Sequence, residues 1–290
     1  MAHTCYNQFI HVICITKNLE CSISDESQIP LYGYIGAIVK SLGGQLIART
    51  GASNHIHMLL NIPTNLSISE FLNQIKSCTS KWYRQQNVEK STFAWSEGYF
   101  AFTVSPSSIG NVKQYFSNES TRHLTCSTEE ELSRFLDALS IAYNPQYITN
   151  TTYTRLMYHL IWTVKDRKLL LDKSFQLAVH EKIRHAIQEK GGKLHAIGNV
   201  YDHIHLLVEC PSKVATADLV MNIKTISTHY IKTQDSKLHH FNWQEGYGVY
   251  SVGFPAFEAV AYYVNNQESH HQVHTFEDEW QQFLKSISNA

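Results

Sequence analysis

The feature of this sequence that most limits what it can fold into is an internal repeat. The tripeptide His55-Ile56-His57 recurs as His203-Ile204-His205, an offset of 148 residues (203 minus 55), and the same offset relates many further identical positions without a gap. These pairs include Gly43 and Gly191, Trp95 and Trp243, Tyr115 and Tyr263, His123 and His271, and Glu131 and Glu279. A match of this length indicates two copies of one domain, end to end.

The repeat also predicts where the two domains begin and end. The chain has 290 residues, about twice the length of an average domain. The segment from Ala142 to Thr152 contains Pro145 and several Asn and Thr residues, which is typical of a linker. We therefore expect one domain over residues 1–145 and a second over residues 152–290.

Within each copy, hydrophobic patterns alternate between those of strands and those of helices. In the first copy, strands are predicted over residues 9–16, 46–50, 55–62 and 99–104, and helices over residues 29–41, 67–85 and 108–123. The order βαββαβ with an added terminal helix predicts a ferredoxin-like (RRM-like) α+β domain with an antiparallel sheet. The whole chain would then hold two such domains in tandem.

Composition and charge exclude several classes of protein. Hydrophobic residues make up 43% and charged residues 17% of the chain, as in a folded globular protein. The net charge of −1 is not that of a protein that coats DNA through bulk positive charge, so any contact with nucleic acid must be local. The six cysteines are scattered, and there is no apolar run of membrane-spanning length and no signal peptide pattern. We expect a cytoplasmic protein.

The repeated His-x-His tripeptides are the first candidates for chemistry. Alternate residues of a strand project from one face, so His55 and His57 point together, as do His203 and His205. Two such imidazoles can bind one metal ion. With 17 histidines in the chain, about one His-x-His tripeptide is expected by chance, and the alternative interpretation is a pair of histidines at a sheet surface.

The terminal helix of each copy supplies the second set of candidates. Tyr115 and Glu119, like Tyr263 and Gln267, are spaced four residues apart and therefore share one helical face. Two histidines and one side-chain oxygen could hold a divalent cation with open positions, and a phenol beside it could attack a phosphate. The alternative is a tyrosine that only packs against the sheet.

These motifs together resemble the single-tyrosine transposases of the HUH superfamily, of the insertion-sequence 200/605 type. The resemblance rests on the His-Ile-His strands, the Trp-x-x-Gly-Tyr segments at Trp95 and Trp243, and the helix from Tyr263 to Gln267 followed by His270-His271. It covers nearly all of each half. Family members are usually single domains that dimerise, so this chain is expected to be a monomer that forms an intramolecular pseudo-dimer.

The resemblance implies metal-dependent cleavage and rejoining of single-stranded DNA, often with hairpin ends. Tyrosine would attack the phosphodiester and leave a 5′-phosphotyrosine and a free 3′-OH, with Mg²⁺ or Mn²⁺ as the only cofactor. The matching positions are Tyr115 and Tyr263 as nucleophiles, and His55, His57, Glu119, His203, His205 and Gln267 as metal ligands. Because the tyrosine helix of the family commonly reaches a partner's histidines, composite sites are expected: His55 and His57 with Tyr263 and Gln267, and His203 and His205 with Tyr115 and Glu119.

The sequence departs from the family pattern in the first copy, and two other functions remain open. Glu119 stands where the family usually has Gln, and Asn54 stands where the second copy has Asp202, so the two sites are not interchangeable.

The main alternative is a domesticated protein that binds nucleic-acid hairpins without cutting them. A metal-dependent or His-nucleophile phosphohydrolase of small nucleotides ranks last, because Leu59 and Leu207 occupy the place of the third alternating histidine of the histidine-triad type.

Overall fold

The structure, a computed structural model, describes residues 4–86, 92–273 and 275–281. The last positions of the sequence repeat, near residue 284, lie outside this part of the chain. Two compact units are present. We call the unit of Phe9–Pro63 and Ile68–Arg155 the first-repeat unit, and that of Met1–Gln8, Thr64–Ser67 and Leu156–Ala290 the second-repeat unit.

Strands and helices alternate along each copy. In chain order they are β1 (Cys5–Asn7), β2 (Phe9–Ile15), α1 (Asp25–Ser41), β3 (Gln45–Ala52), β4 (His55–Asn61), α2 (Ile68–Gln86), β5 (Phe100–Thr103), α3 (Ile109–Ser117), α4 (Glu119–Arg122), α5 (Thr128–Ala138), β6 (Tyr153–Arg155), β7 (Met157–Thr163), α6 (Lys173–Glu189), β8 (Lys193–Asn199), β9 (His203–Glu209), α7 (Thr216–Lys232), β10 (Gly248–Val252), α8 (Phe257–Asn265) and α9 (Gln267–His270). Residues 276–281 are also helical.

Each unit has one five-stranded sheet. The order is β3-β4-β2-β5-β6 in the first-repeat unit and β8-β9-β7-β10-β1 in the second-repeat unit. The four strands of each βαββαβ segment pair antiparallel. This is the ferredoxin-like strand order, and the predicted α+β fold of two tandem copies is confirmed.

The outermost strand of each sheet comes from an unexpected part of the sequence. β1, at the start of the first repeat, pairs in parallel with β10 in the second-repeat unit. β6, at the start of the second repeat, pairs in parallel with β5 in the first-repeat unit. The predicted division at residues 145 and 152 is that of the sequence repeat. The compact units differ from it, because β1 and β6 each belong to the unit of the other repeat.

The two faces of each sheet are covered by different helices. Alternation along β4 directs His55, His57 and Leu59 to one face, and this face packs against α3 and α5 through Phe9, Phe116 and Leu132 among others. In the second-repeat unit the corresponding face carries Leu207 and packs against α8. The paired histidines are therefore buried between the sheet and the helices that follow the last antiparallel strand.

The tyrosine-bearing helix is interrupted just before the oxygen-bearing residue. The sequence predicts one helix over residues 108–123, but Asn118 ends α3 with φ −98° and ψ 13°, and α4 begins at Glu119. The second-repeat unit repeats this break at Asn266. No helix within the described residues is both long and apolar enough to cross a bilayer.

Candidate metal and tyrosine sites

The paired histidines adopt the arrangement that their spacing predicts. His55 and His57 are fully buried on β4, with ring centroids 4.9 Å apart. His203 and His205 are equally buried on β9, with centroids 5.1 Å apart. Each pair therefore presents two imidazoles to one small space in its own unit.

The Nδ1 atoms of these imidazoles are held by neighbouring side chains. His55 Nδ1 lies 2.8 Å from Asn54 Oδ1, and His203 Nδ1 lies 2.7 Å from Asp202 Oδ1. The second histidine of each pair is hydrogen-bonded to a histidine of the first antiparallel strand. His57 Nδ1 lies 2.9 Å from His11 Nε2. In the other unit, His205 Nδ1 lies 3.0 Å from His159 Nε2. Such outer contacts fix the ring orientation, and they leave each Nε2 atom facing the shared space.

In the first-repeat unit two carboxylates meet the histidine pair. His55 Nε2 lies 2.8 Å from Glu119 Oε1, so Glu119 stands beside the histidine pair of its own unit. The second carboxylate is Glu131 of α5, with Oε2 3.6 Å from His55 Nε2 and Oε1 3.5 Å from His57 Nε2. His123 Nε2 lies 3.2 Å from both carboxylates.

In the second-repeat unit one carboxylate and a third imidazole meet the pair. Glu279 Oε2 lies 3.6 Å from His205 Nε2 and 3.4 Å from His271 Nε2. His271 Nε2 is also 2.9 Å from His203 Nε2. Gln267 is buried here, and its Nε2 donates to the Tyr263 backbone carbonyl at 3.1 Å.

Sequence reasoning assigned no role to Glu131, Glu279, His123 or His271. The repeat alignment does pair Glu131 with Glu279 and His123 with His271, and that was the available signal. The same alignment also pairs core residues such as Leu59 and Leu207, so identity alone does not separate a site residue from a packing residue.

Both tyrosine hydroxyls lie at these clusters. The Tyr115 hydroxyl donates to Glu131 Oε1, and the Tyr263 hydroxyl donates to Glu279 Oε1. The Tyr115 ring centroid is 6.1 Å from that of His57, and the Tyr263 ring centroid is 5.7 Å from that of His205. Each tyrosine is thus beside the histidine pair of its own unit, and the expected composite sites, with each pair completed by the other copy's tyrosine, are not the arrangement in this structure.

The donor sets fit a divalent metal ion. The groups His55, His57, Glu119, Glu131 and His203, His205, His271, Glu279 each offer ligand atoms within 4.8 Å of one another. Two ligands on opposite sides of one ion are about 4.2 Å apart for bonds of about 2.1 Å. Within the described part of the chain, His57 Nε2, His205 Nε2, Glu131 Oε2, Glu279 Oε2 and Gln267 Oε1 are buried and have no hydrogen-bond partner. A bound cation would satisfy these atoms, since buried polar atoms are otherwise paired.

The protonation of the imidazoles suits a metal ligand. Burial lowers the pKa of His55 and of His203, and it lowers the pKa of His205 well below its ordinary value. These rings are therefore neutral at pH 7, which is the form that binds metals. Burial alone would raise the pKa of the Glu131 carboxyl, but its contact with His57 and its hydrogen bond from the Tyr115 hydroxyl outweigh burial and lower the pKa. Glu131 is therefore ionised.

The tyrosines are not activated in this arrangement. Burial, followed by the hydrogen bond to Glu131, raises the pKa of the Tyr115 phenol, and burial and Glu279 have the same effect on the pKa of Tyr263. A neighbouring positive charge would favour the phenolate. In the first-repeat unit Arg122 lies over the Tyr115 ring, with Cζ 3.7 Å from the centroid and Nε 2.9 Å from Glu131 Oε1.

A surface cavity opens beside each cluster. In the first-repeat unit a cavity of about 450 Å³ is lined by Arg49, Lys113 and Glu119. In the second-repeat unit a cavity of about 320 Å³ is lined by Arg167, His203, His271 and Phe276 among others. The first lining carries two cationic side chains and one carboxylate, and Arg167 at the second is ion-paired with Asp202 at 2.9 Å.

Both copies match one protein family. Residues 4–119 and 152–267 match the model of the family described as "Transposase IS200 like". Two curated proteins, each described as the transposase for insertion sequence element IS200 and coming from Salmonella typhimurium (strain LT2) and Salmonella typhi, are 24% identical over 109 residues, which is 36% of this chain and 72% of theirs.

Solved structures of transposases are also similar to one half of the chain. One is a putative transposase from Deinococcus radiodurans R1, with 24% identity and a TM-score of 0.32 over 39% of this chain and 91% of that protein. Another is a REP-associated tyrosine transposase bound to a REP hairpin, with 14% identity and a TM-score of 0.34 over 40% of this chain and 68% of that protein.

Proposed function

Because the chain belongs to the family of IS200-like transposases, with matches in both copies, we propose that it cleaves and rejoins single-stranded DNA through Tyr115 and Tyr263. One observation supports this most. In both units the tyrosine hydroxyl donates to a buried carboxylate that lies within 3.6 Å of a paired imidazole. A tyrosine that only packs against the sheet would not need to recur at an acid and a histidine pair.

The residues present fit a resident divalent cation, Mg²⁺ or Mn²⁺. His55, His57 and Glu119 would hold it in the first-repeat unit, and His203, His205 and Gln267 would hold it in the second-repeat unit. When bound, the ion would polarise the scissile phosphate and stabilise the charge that develops on it.

The tyrosine performs the bond exchange. Its hydroxyl oxygen forms a bond to the phosphorus of the scissile phosphodiester, and the bond from phosphorus to the 3′-oxygen breaks. The phenolic proton has an acceptor in place, which is Glu131 Oε1 for Tyr115 and Glu279 Oε1 for Tyr263. The products are a 5′-phosphotyrosine and a free 3′-OH, and attack by a 3′-OH on the phosphotyrosine rejoins the DNA and frees the phenol. No nucleotide cofactor is needed, because each step exchanges one phosphoester bond for another.

The substrate is expected to be single-stranded DNA whose ends form hairpins. Arg49 and Lys113 line one cavity, and Arg167, ion-paired with Asp202, lines the other; these side chains would contact its phosphates. One chain carries two such sites, and we propose that it acts as a monomer in place of the two-chain dimer that single-domain relatives would form.

Covalent attachment tests this proposal. Labelled single-stranded DNA from the flanks of the gene, incubated with the protein and Mn²⁺, should give a complex that survives denaturing electrophoresis. Tyr115→Phe combined with Tyr263→Phe should abolish the complex, while Tyr262→Phe, at an exposed neighbouring tyrosine, should preserve it. Retention of the complex in the double variant would contradict the proposal.

The same experiment separates the enzyme from a protein that only binds hairpins. A non-cutting binder would retard the DNA in a native gel, and it would leave no denaturant-resistant complex with the wild-type protein. That outcome would favour the domesticated binding function.

A further inference from the structure

A buried glutamate from the helix after the tyrosine helix occupies the same place in both units. Glu131 of α5 is 2% exposed, and Glu279 in the helical residues 276–281 is 3% exposed. Both lie beyond the last residue of each family match, Glu119 and Gln267. The family match therefore gives these two side chains no role.

The two oxygens of each carboxylate contact different groups. In the first-repeat unit Glu131 Oε1 accepts from the Tyr115 hydroxyl, while Oε2 lies 3.6 Å from His55 Nε2 and 3.2 Å from His123 Nε2. In the second-repeat unit Glu279 Oε1 accepts from the Tyr263 hydroxyl, while Oε2 lies 3.6 Å from His205 Nε2. Oε1 also lies near an imidazole in each unit, 3.5 Å from His57 Nε2 for Glu131 and 3.1 Å from His270 Nε2 for Glu279, but only Oε1 accepts from the tyrosine.

The Oε2 atom of each carboxylate is left without a hydrogen bond. Among the residues that the structure describes, neither Glu131 Oε2 nor Glu279 Oε2 has a hydrogen-bond partner, and both are buried. The imidazole nitrogens His57 Nε2 and His205 Nε2 are unpaired in the same clusters. Imidazole nitrogens lie 3.2 Å from Glu131 Oε2 (His123 Nε2) and 3.4 Å from Glu279 Oε2 (His271 Nε2), but neither contact is a hydrogen bond, and a buried carboxylate oxygen without one costs free energy. The recurrence in two units indicates that this space serves a ligand.

We propose that Glu131 and Glu279 are metal ligands, each binding the divalent ion through Oε2 while Oε1 holds the tyrosine hydroxyl. The inference rests on the proposed function for the identity of the ion. It extends that function, because a single side chain from outside the family-matched segment connects the metal to the nucleophile. The first-repeat unit would offer two histidines and two glutamates, and the second-repeat unit three histidines and one glutamate.

Calorimetric titration with Mn²⁺ in the absence of DNA tests the inference. The variant is Glu131→Gln with Glu279→Gln, which keeps the side-chain shape and removes the charge. Glu129→Gln with Glu277→Gln is the matched control, because these residues lie two positions earlier on the same helices and are exposed. The wild type and the control should bind two Mn²⁺ ions per chain with the same Kd. The Glu131/Glu279 variant should bind with a Kd about tenfold higher or more.

Single substitutions assign the effect to each site. Glu131→Gln alone should weaken one of the two binding events, and Glu279→Gln alone the other, with the melting temperature in EDTA as the check on folding. Equal Kd values for wild type and the Glu131/Glu279 variant, or no Mn²⁺ binding by the wild type, would overturn the inference. Because the titration contains no DNA, a wild type that binds two ions but forms no DNA adduct would refute the proposed function and leave the inference standing.

Discussion

At the residue scale, the two sites differ at two positions one helical turn apart. In the first site the charges at these two positions offset each other. The first-repeat unit has Glu119 and Arg122 where the second has Gln267 and His270. Arg122 pairs with both carboxylates of its site, through Nη2 with Glu119 Oε2 and through Nε with Glu131 Oε1. His270 Nε2 lies 3.1 Å from Glu279 Oε1. The extra carboxylate of the first site is thus balanced by a guanidinium, which competes with a metal ion for the same oxygens.

Replacing Arg122 by Gln should therefore strengthen metal binding at the first site. Two buried carboxylates without their cation attract Mn²⁺ more strongly, and we expect the Kd of that site to fall by about tenfold. Without metal, the variant should lose about 3 kcal/mol of unfolding free energy, because a buried ion pair is broken. Titration calorimetry and denaturant unfolding in EDTA measure the two effects. Arg134→Gln, at an exposed position of α5, is the control, and a Kd that is unchanged or higher in Arg122→Gln would refute the competition.

The histidine of the first antiparallel strand should make stability depend on pH. Burial lowers the pKa of His159 to about 4, below its ordinary value near 6.5. The unfolded chain therefore binds this proton more readily, so the contribution to stability is complete above pH 6.5 and is lost as the pH falls toward 4.

Between pH 7 and pH 5 we expect this residue to cost about 2 kcal/mol of unfolding free energy in metal-free protein. Urea unfolding at the two pH values measures the loss. His159→Gln should reduce the loss by that amount, whereas His185→Gln, at an exposed position of α6, should leave it unchanged. An identical loss in wild type and His159→Gln would contradict the assignment.

At the element scale, the position of the tyrosine helix depends on a close approach to the sheet. A Cβ atom at Gly198 of β8 would stand 1.9 Å from the Val264 carbonyl oxygen of α8 and 3.0 Å from Gln267 Cγ. Only glycine lets helix and strand meet at this distance. The helix carries Tyr263 one residue before Val264, so this contact helps to hold the Tyr263 side chain beside the histidine pair.

Gly198→Ala should displace α8 and disturb the second site selectively. We expect a lower melting temperature and weaker Mn²⁺ binding at one of the two sites, because the backbone of α8 cannot yield without moving Tyr263 and Gln267. Gly110→Ala on α3 is the control, since a Cβ there meets nothing within 4 Å. It should keep both sites and raise stability slightly, because alanine favours helix more than glycine does. Unchanged melting and binding in Gly198→Ala would show that the contact is not needed.

Sequence reasoning named the candidate residues whose spacing follows a strand or a helix, and it assigned no role to those that a turn brings in. The residues of each His-x-His pair share a face because strands alternate, and Tyr115 with Glu119 follows helical spacing. Glu131 follows a turn and sits on a separate helix, α5, so no periodicity connects it to Tyr115. The break at Asn118 was likewise not predicted, because the apolar pattern over residues 108–123 fits a single helix.

At the scale of the whole molecule, each repeat supplies the outer strand of the other unit's sheet. β1 and β6 are three residues long, and so short a strand has no periodicity from which to predict it. In this exchange of strands, Cys5 of β1 lies opposite Gly248 of β10, and Tyr153 of β6 lies opposite Phe100 of β5. The tandem arrangement is thus more than two independent domains on one chain, since neither sheet is complete without a strand from the other repeat.

Separating the copies should therefore damage both. Residues 1–145 alone would lack β6, and residues 152–290 alone would lack β1, so β5 and β10 would become exposed sheet edges. We expect each fragment to be less stable than the intact chain and to self-associate, as measured by thermal unfolding and size-exclusion chromatography. A second-copy fragment extended at its N-terminus by a flexible linker and residues 4–8 should recover stability. Fragments as stable and monomeric as the intact chain would refute the exchange.

A crystal structure of the protein with Mn²⁺, using anomalous scattering to locate the ions, tests the central claim most directly. The account predicts two anomalous peaks per chain. One should lie among His55, His57, Glu119 and Glu131, and the other among His203, His205, Gln267, His271 and Glu279, each beside the tyrosine of its own unit. An absence of peaks at the histidine pairs under saturating Mn²⁺, or peaks remote from both tyrosine hydroxyls, would contradict it.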